Sequence, residues 1–299
     1  MCGIVGLLIK KWELRESLGE LMVPMLIGMS ERGSDSAGLA IFTEKLTEPQ
    51  RKYSLYASGG KGFNWPEIVQ AFQAYFGAAP DIQTHGNQAV LISDLALDTI
   101  KQWLQEYDPQ LHVLSAGRAI ALYKDAGKPI DVADRYNFKS LKGSHGVGHT
   151  RMATESAVTP AHAHPFTAGE DFCLVHNGSL SNSNQIRRKL EPCGIQFETD
   201  NDTEAACRFL EWRMREGDDL EIALKQGFEE LDGFYTFLMG TADQLALVRD
   251  AFACKPAVVA ETDDYVAIAS EFRSLAHLPD VQHAHIYEPA PEEMYVWTV

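Results

Sequence analysis

The stretch Met1-Cys2-Gly3-Ile4-Val5-Gly6-Leu7-Leu8-Ile9 opens the chain and decides its fold. The continuous apolar run from Ile4 to Ile9 predicts a strand buried on both faces, which would carry Cys2 at its leading end. Removal of Met1 would leave a thiol and a free α-amine on Cys2. A thiol attacks as the thiolate, and an α-amine with a reference pKa of about 8 is able to take its proton. Cys2 is therefore a candidate nucleophile with its own base, or else simply the start of a buried strand.

Size and charge limit the function. The chain has 299 residues, of which 45% are hydrophobic and 23% charged, as in a globular protein that folds throughout. Its formal charge of -16 would repel a phosphate backbone, so we expect no binding of nucleic acid. No apolar run approaches the ~20 residues that cross a bilayer, and no signal peptide is recognisable. The sequence therefore predicts a cytoplasmic protein without a membrane segment.

Neither the cysteines nor the histidines have the spacing of a metal site. The five cysteines form no C-x-x-C pair, and their odd number argues against a disulfide framework. Cys173 and Cys207 lie among apolar neighbours and are expected in the core. His162 and His164 would point to opposite faces of a strand, and no H-E-x-x-H motif is present. We predict no metal, and the absence of a G-x-S-x-G motif also disfavours a serine nucleophile.

Hydrophobic periodicity predicts alternating helices and strands. Helices are expected over about 12–29 (with Pro24 as an objection), 65–76, 95–107, 183–190, 203–215 and 220–231, and strands over 4–9, 37–42, 52–57, 88–92, 111–123, 146–150, 172–176, 234–239, 245–249, 257–259, 265–269 and 294–299. Mixed sheets with segregated helices indicate a layered α+β architecture.

Polar clusters follow several of the apolar runs. They are Glu31-Arg32-Gly33-Ser34-Asp35-Ser36-Ala37-Gly38, Gly148-His149-Thr150-Arg151-Met152-Ala153-Thr154, Ala161-His162-Ala163-His164-Pro165-Phe166, His176-Asn177-Gly178 and Asp200-Asn201-Asp202-Thr203-Glu204. With Cys2, their order resembles the class II glutamine amidotransferases, a branch of the N-terminal nucleophile (Ntn) hydrolases. The resemblance is clear from Cys2 to about Asp202 and weaker beyond. It implies a four-layer αββα sandwich of two antiparallel sheets between helical layers.

One stretch does not fit the resemblance. We interpret residues of about 58–142 as an α/β insertion within a single domain spanning 2–299. The insertion begins at Ser58-Gly59-Gly60-Lys61-Gly62, which lacks the spacing of a phosphate loop and is typical of a flexible linker. Its role is not evident from the sequence, although a partner-docking surface is a reasonable hypothesis.

A thiol that attacks a carboxamide generates an oxyanion, which needs hydrogen-bond donors. Asn177 offers a side-chain amide and Gly178 an unobstructed backbone N–H, so the pair is a candidate oxyanion hole. The alternative is a plain Asn-Gly turn. Glutamine also carries an α-carboxylate and an α-ammonium, and its pocket therefore needs one fixed cation and one fixed anion.

Arg151 and Asp202 are the candidates for those two charges. Arginine holds a carboxylate through two parallel hydrogen bonds, and the resemblance implies this role for Arg151, although Met152 replaces a tryptophan often found beside it. The resemblance also implies that Asp202 receives the ammonium. Capping of a helix together with Asn201 is the competing role for Asp202, and Asp200 is the alternative acid.

Three further residues match positions of the resembling enzymes. Thr154 and His164 correspond to positions that help to bind the substrate. Arg32 corresponds to a segment beside the nucleophile and is expected to brace it, although a structural ion pair would explain it almost as well.

The resulting hypothesis is a glutaminase subunit that hydrolyses L-glutamine through a Cys2 thioester. In several resembling enzymes an acceptor-processing domain follows, so we expect a separate synthase to receive the ammonia. Stand-alone subunits of the glutamate synthase or N-methylglutamate synthase type are the most similar. Their resemblance implies no cofactor in this chain, and FMN with an iron–sulfur cluster in the partner. A self-sufficient amidohydrolase acting on a γ-glutamyl amide and a catalytically silent glutamine sensor are the alternatives.

The proposed base exists only if Met1 is removed. We expect the intact mass of the purified, active protein to be short by one methionine residue, because a retained Met1 would block the amine. Full activity in protein that still carries Met1 would contradict the N-terminal mechanism.

Overall fold

Two antiparallel sheets face each other at the centre of the molecule, and helices cover their outer surfaces. The structure is a computed structural model and describes residues 2–58, 63–153 and 158–299. Its strands are β1 (Gly3–Ile9), β2 (Ser36–Phe42), β3 (Arg51–Ala57), β4 (Asp81–His85), β5 (Gln88–Ser93), β6 (Leu111–Gly117), β7 (Ile120–Ala126), β8 (His145–Arg151), β9 (Phe166–Thr167), β10 (Cys173–Leu180), β11 (Gly233–Gly240), β12 (Gln244–Arg249), β13 (Val258–Glu261), β14 (Tyr265–Ala269), β15 (His285–Tyr287) and β16 (Met294–Thr298).

The helices alternate with these strands. They are α1 (Leu18–Gly28), α2 (Trp65–Phe76), α3 (Leu97–Tyr107), α4 (Pro129–Arg135), α5 (Ser183–Leu190), α6 (Asp202–Arg215) and α7 (Leu220–Glu230), with short 3-10 segments at Trp12–Ser17, Phe138–Ser140, Pro160–His162, Glu191–Cys193, Phe272–Ser274 and Val281–His283.

The first strand lies in the middle of the first sheet, whose order is β15-β13-β14-β1-β8-β2-β7. It is fully buried, as its apolar run predicted. Because successive side chains of a strand point to opposite faces, Ile4 and Leu8 enter the core between the two sheets, whereas Val5 and Leu7 join the core on the other side. The second sheet has the order β16-β12-β11-β10-β9.

Helices close both outer faces of this pair of sheets. Helices α1 and α4 contribute Met22, Leu26 and Val132 to the core outside the first sheet. On the other side, α6 and its neighbours α5 and α7 pack Phe209 and Leu224 against the second sheet. The layers thus follow the order helix, sheet, sheet, helix, which confirms the α+β, αββα sandwich.

A third sheet stands beside the sandwich. Its order is β4-β5-β3-β6, and helices α2 and α3 cover it with their own apolar core, which includes Trp65, Phe72 and Trp103. This unit occupies residues 51–117. Strand β7 and helix α4 also lie within 58–142, yet they belong to the sandwich. The extent of an insertion relative to the family stays a prediction, and Gly59 to Gly62 of the expected linker lie outside the described residues.

The third sheet closes the edge of the first. Ser54 of β3 accepts a hydrogen bond from the backbone N–H of Leu122 in β7 at 2.8 Å, and Gln88 of β5 donates its side-chain amide to the carbonyl of Lys124 at 2.6 Å. Ser115 in turn donates to Ser54 at 2.9 Å. Unpaired groups on an edge strand would otherwise need water or another chain, so these side chains replace a neighbouring strand.

Two predicted elements differ from the observed ones. The single strand expected over 111–123 is wrong: it is two strands, β6 and β7, which belong to different sheets. The chain reverses between them because the Asp171 carboxylate accepts hydrogen bonds from the backbone N–H groups of Arg118, Ala119 and Ile120 at 2.7–2.9 Å. The helix expected over 12–29 begins as a 3-10 turn and becomes α1 only at Leu18, with Pro24 inside it.

Substitution of the serine at the sheet junction tests this packing. Ser54→Ala should lower the free energy of unfolding by about 1–3 kcal/mol, because the buried N–H of Leu122 and the hydroxyl of Ser115 lose their partner. The exposed control Ser140→Ala should cost less than about 0.5 kcal/mol. Urea unfolding of both variants measures the difference, and equal losses would show that the junction contributes nothing.

Candidate active site

The thiol of Cys2 lies at the rim of the gap between the two sheets. Cys2 precedes β1 directly and shares the side of Ile4 and Leu8, which face the second sheet. The residue is partly exposed, and its Sγ lies 3.8 Å from the carbonyl oxygen of Met152. An accessible thiol at the end of a buried central strand has a fixed backbone and an open approach from solvent.

Two side chains hold the backbone carbonyl of Cys2. Arg32 Nε donates to it at 2.9 Å, and Asn177 Nδ2 donates to it at 3.2 Å. Asn177 Nδ2 also donates to Ser270 Oγ at 3.1 Å, and that hydroxyl accepts the backbone N–H of Ile4 at 3.0 Å. Three segments therefore hold the start of β1. Arg32 follows α1, Ser270 follows β14, and Asn177 lies in the opposing sheet.

Arg32 combines the two roles considered for it. Besides its bond to Cys2, its guanidinium pairs with Glu271 at 2.8 Å while the arginine is almost completely buried. Glu271 also meets Arg273 at 2.8 Å. The hydrogen bond from Arg32, together with these cations, holds the pKa of Glu271 below its usual value. Arg32 thus holds the backbone of Cys2 through a hydrogen bond, and the ion pair with Glu271 holds Arg32 in place.

The Asn177-Gly178 pair lies within β10 and does not form the plain turn that was the alternative interpretation. In the register of β10 with β11, Gly178 lies opposite Tyr235, whose N–H and carbonyl both bond to Asp250 on the far side. Gly178 and Tyr235 are therefore a non-hydrogen-bonded pair of the antiparallel ladder, in which the backbone polar groups of the two residues point away from each other. The N–H of Gly178 therefore faces the free edge of β10, as an oxyanion donor requires.

Only glycine fits at position 178. Its φ is +146°, and a Cβ would lie 2.0 Å from the carbonyl oxygen of Phe234 and 2.7 Å from His176 Nε2. The backbone in this region excludes other residues on steric grounds.

Arg151 ends strand β8, next to β1. The register pairs Gly3 with Thr150, so one further step sets Cys2 opposite Arg151. Arg151 is buried and shares the side of Val147, which faces the second sheet. A guanidinium is thus present near the candidate nucleophile. Thr154, the other predicted substrate residue in this segment, lies outside the described residues, as does Met1.

Asp202 begins helix α6 and binds the end of β10. Its Oδ2 accepts the backbone N–H of Leu180 at 2.9 Å, and its Oδ1 lies 3.7 Å from His176 Nδ1. Burial works to raise the pKa of Asp202, but the His176 ring and the Leu180 N–H outweigh it and hold the pKa below its usual value. The carboxylate is about one quarter exposed and therefore remains accessible as an anion.

The structure distinguishes Asp202 from the residue that caps helix α6 and from the alternative acid, Asp200. Asn201 is the N-cap and accepts the N–H of Thr203 at 2.9 Å, but Glu204 bonds instead to the backbone of Glu198 and Thr199. The reciprocal capping pair is therefore only half formed. Asp200 points outward, with 81% of its side chain exposed, and lies 3.1 Å from His162.

His164 belongs to a buried group of three histidines. Its Nε2 lies 2.9 Å from Thr203 Oγ1, its ring stacks on that of His149 at 4.1 Å, and His176 Nδ1 lies 3.0 Å from the same hydroxyl. Burial lowers the pKa of His149 to about 3 and that of His164 well below its usual value, so both rings are neutral. This group supports Asp202 from behind through Thr203.

His162 ends a 3-10 segment and His164 lies in the following loop, so the two histidines do not share a strand. Among the described residues, no group of three or more His, Cys, Asp or Glu side chains is arranged to hold a metal ion. Cys173 and Cys207 are buried in the core, as predicted. No helix in the described ranges is long and apolar enough to cross a membrane.

Sequence reasoning assigned no role to Ser270, Glu271, His176 or Thr203. Ser270 and Glu271 follow the apolar strand β14 directly, which is where polar site residues are common, but nothing in the sequence pairs them with Cys2. His176 and Thr203 adjoin predicted site residues. Their contact joins β10 to α6, and this long-range approach is invisible in a single sequence.

Several known proteins are similar to this chain in sequence. A family model described as a glutamine amidotransferase domain matches residues 149–277. The chain is 46% identical over 302 residues to the glutamine amidotransferase-like protein GlxB of Rhizobium meliloti (strain 1021), covering 99% of this chain and 98% of that protein. It is 31% identical over 178 residues to the amidophosphoribosyltransferase of Methanocaldococcus jannaschii, covering 58% of this chain and 38% of that enzyme.

A solved structure shares the fold. The glutamine phosphoribosylpyrophosphate amidotransferase from B. subtilis, complexed with ADP and GMP, covers 99% of this chain and 47% of its own, with a TM-score of 0.63 at 20% identity. The sequence relatives show that the chain belongs to the class II glutamine amidotransferases.

The steric demand at position 178 is testable. Gly178→Ala should lower the free energy of unfolding by at least about 1 kcal/mol more than Gly77→Ala, because both have positive φ but only Gly178 meets backbone atoms. A Cβ at Gly77 has nothing within 4 Å. Urea unfolding compares the two variants. If Gly178→Ala does not fold while Gly77→Ala does, the prediction is also confirmed. Equal losses would contradict the close approach of Phe234.

Proposed function

We propose that this chain is a glutaminase subunit that hydrolyses the side-chain amide of L-glutamine through a thioester on Cys2 and delivers the ammonia to a separate synthase. The observation that carries the proposal is the convergence at Cys2. Arg32 and Asn177 both bind its carbonyl, while Arg151 lies on the neighbouring strand β8 and the open N–H of Gly178 on β10 of the facing sheet. Family membership supports glutamine as the substrate.

The chemistry begins with transfer of the thiol proton of Cys2 to its own α-amine once Met1 is absent. The thiolate attacks the carboxamide carbon, and the carbonyl π electrons move to oxygen. Collapse of this tetrahedral oxyanion expels ammonia, which takes the proton from the amine, and leaves a thioester. Water then attacks the thioester, and glutamate and the free thiol are released.

Asn177 must exchange a hydrogen bond to stabilise the oxyanion. An amide nitrogen has two hydrogens, and those of Asn177 are directed to the Cys2 carbonyl and Ser270. Donation to a substrate oxygen replaces one of these bonds, whereas the N–H of Gly178 is available without rearrangement. We therefore assign Gly178 as the preorganised donor and Asn177 as the second donor.

Arg151 and Asp202 fix the other end of glutamine in this proposal. Arg151 binds the α-carboxylate through its two-pronged guanidinium, and Asp202 receives the α-ammonium. Asp202 fits this role better than Asp200 because its hydrogen bond to Leu180 fixes it at the end of β10, close to Gly178, whereas 81% of the Asp200 side chain is exposed. Thr154 and His164 complete the proposed pocket, His164 by supporting Thr203.

The partner synthase is proposed to be of the glutamate synthase or N-methylglutamate synthase type. Exposed apolar side chains around the candidate site support docking of another chain. Met152, Phe234 and Phe272 are each at least 40% exposed, and each adjoins a residue of the site. In this proposal the chain itself binds no cofactor, the partner carries FMN and an iron–sulfur cluster, and both are cytoplasmic.

Substitution at Cys2 tests the proposal. Cys2→Ser should lower kcat for release of ammonia from glutamine by at least about 10³-fold, because a hydroxyl is a far weaker nucleophile than a thiolate. Asp202→Asn should raise KM for glutamine by about 10-fold or more, whereas Asp200→Asn should change it less than about twofold. Coupled detection of glutamate with purified protein measures each value.

The outcomes distinguish the alternatives. Unchanged turnover in Cys2→Ser would end the thioester mechanism. A larger effect at Asp200 than at Asp202 would reassign the ammonium site. Glutamine binding without turnover in the native chain indicates a sensor, and equal hydrolysis of amides that lack an α-carboxylate indicates a broader amidohydrolase. Full ammonia transfer by the chain alone would remove the need for a partner.

A further inference from the structure

A cavity lies between the third sheet and the sandwich. Its volume is about 420 Å³, within the range of small-molecule sites. Strands β3 and β6 and helix α3 form one wall, and the segment around Phe166 together with the start of α6 forms the other. Cys2, Arg151 and Asn177 are not among its described lining residues, so it is separate from the candidate active site.

A buried lysine lines this cavity. Lys124 of β7 is 5% exposed, and its Nζ donates to the carbonyls of Ala163 at 2.9 Å and Pro165 at 3.2 Å. An ammonium has three hydrogens, so one donor remains after these two bonds. Within the described ranges, no carboxylate lies at ion-pair distance from Lys124. Burial lowers the pKa of this ammonium to about 8.

The other charges among the described lining residues are already matched. Arg208 contacts Glu204 at 3.2 Å and Glu198 at 3.5 Å, and Lys101 lies 3.9 Å from Glu198. Two cations thus face these two carboxylates, which leaves Lys124 without a carboxylate partner of its own, and Glu198 and Glu204 act on it only from beyond ion-pair distance. A buried charge without a counter-ion is costly, and an anion that entered the cavity would remove this cost.

The residues that line the cavity indicate which kind of anion would fit. Tyr56, His112 and Phe166 present rings, and Leu97 and Val113 add aliphatic surface. The Phe166 ring also lies 4.8 Å from Lys124 Nζ, so a ligand group bound at the ammonium would lie beside an aromatic face. The two carboxylates nearby would repel a dianion such as phosphate more strongly than a monoanion.

We propose that this cavity binds a small organic monocarboxylate with an aromatic or apolar body, whose carboxylate accepts a hydrogen bond from Lys124. The ligand occupies the junction of the third sheet with the sandwich and supplies the lysine with a counter-ion. This assignment is independent of the glutaminase reaction, because none of the described residues that line the cavity is among those proposed to process glutamine.

A matched pair of probes tests the charge requirement. The full-length chain is titrated at neutral pH with 2-naphthoate and with the neutral amide 2-naphthamide, which has nearly the same shape, and binding is followed by ligand-observed NMR. We expect saturable binding of 2-naphthoate that is at least about 10-fold tighter than that of 2-naphthamide, as a charge-assisted hydrogen bond predicts.

Three variants locate the site. Lys124→Met should weaken 2-naphthoate binding by about 10- to 100-fold and leave 2-naphthamide unchanged. The exposed Ala161 also lines the cavity, so Ala161→Phe should weaken both probes by blocking the space, and this variant decides the question if Lys124→Met does not fold. Arg151→Met is the control for binding in the glutamine pocket and should leave both affinities unchanged.

The opposite results overturn the proposal. They are no saturable binding of 2-naphthoate, equal affinity for the two probes, full affinity in folded Lys124→Met, full affinity in Ala161→Phe, or a loss in Arg151→Met that exceeds the loss in the cavity variants.

Discussion

The site depends on the two hydrogen bonds that converge on the backbone carbonyl of Cys2. Arg32 reaches it from the segment after α1, and Asn177 reaches it from the second sheet. Because Glu271 holds Arg32 and Ser270 holds Asn177, the end of β14 contributes to both contacts. The thiol is thus positioned by two sheets at once, and relative movement of the sheets would break its support.

The free edge of β10 is the second constraint. Antiparallel pairing with β11 turns the polar groups of alternate residues outward, toward β8 and α6. The carbonyl of His176 accepts from His149, and the N–H of Leu180 donates to Asp202. Gly178 lies between them with its N–H on the same edge. An incompletely paired strand is usually a liability, and here its unpaired positions lie where the proposed reaction needs a donor.

The third sheet contacts the sandwich through side chains at the edge strand β7. It supplies Ser54 and Gln88 to the edge of β7, which satisfies backbone groups without adding a strand. The same junction contains the cavity beside Lys124. In a chain of net charge -16, Lys124 is a buried cation with no carboxylate at ion-pair distance in the described part of the chain, and the packing of the third sheet on the sandwich creates this exception.

The sequence by itself determined most of the helices and strands and supplied the candidate residues of the site. The apolar run of β1, the periodicity of α5 and α6, and the ordered polar clusters required only local patterns, because side-chain alternation and helical period are local properties. The tertiary structure decided which of these residues meet. The division of 111–123 into β6 and β7, the hold of Ser270 on Asn177 and the pairing of Thr203 with His164 and His176 arise from contacts between distant segments. Such contacts depend on sheet order and register, which a one-dimensional pattern does not contain.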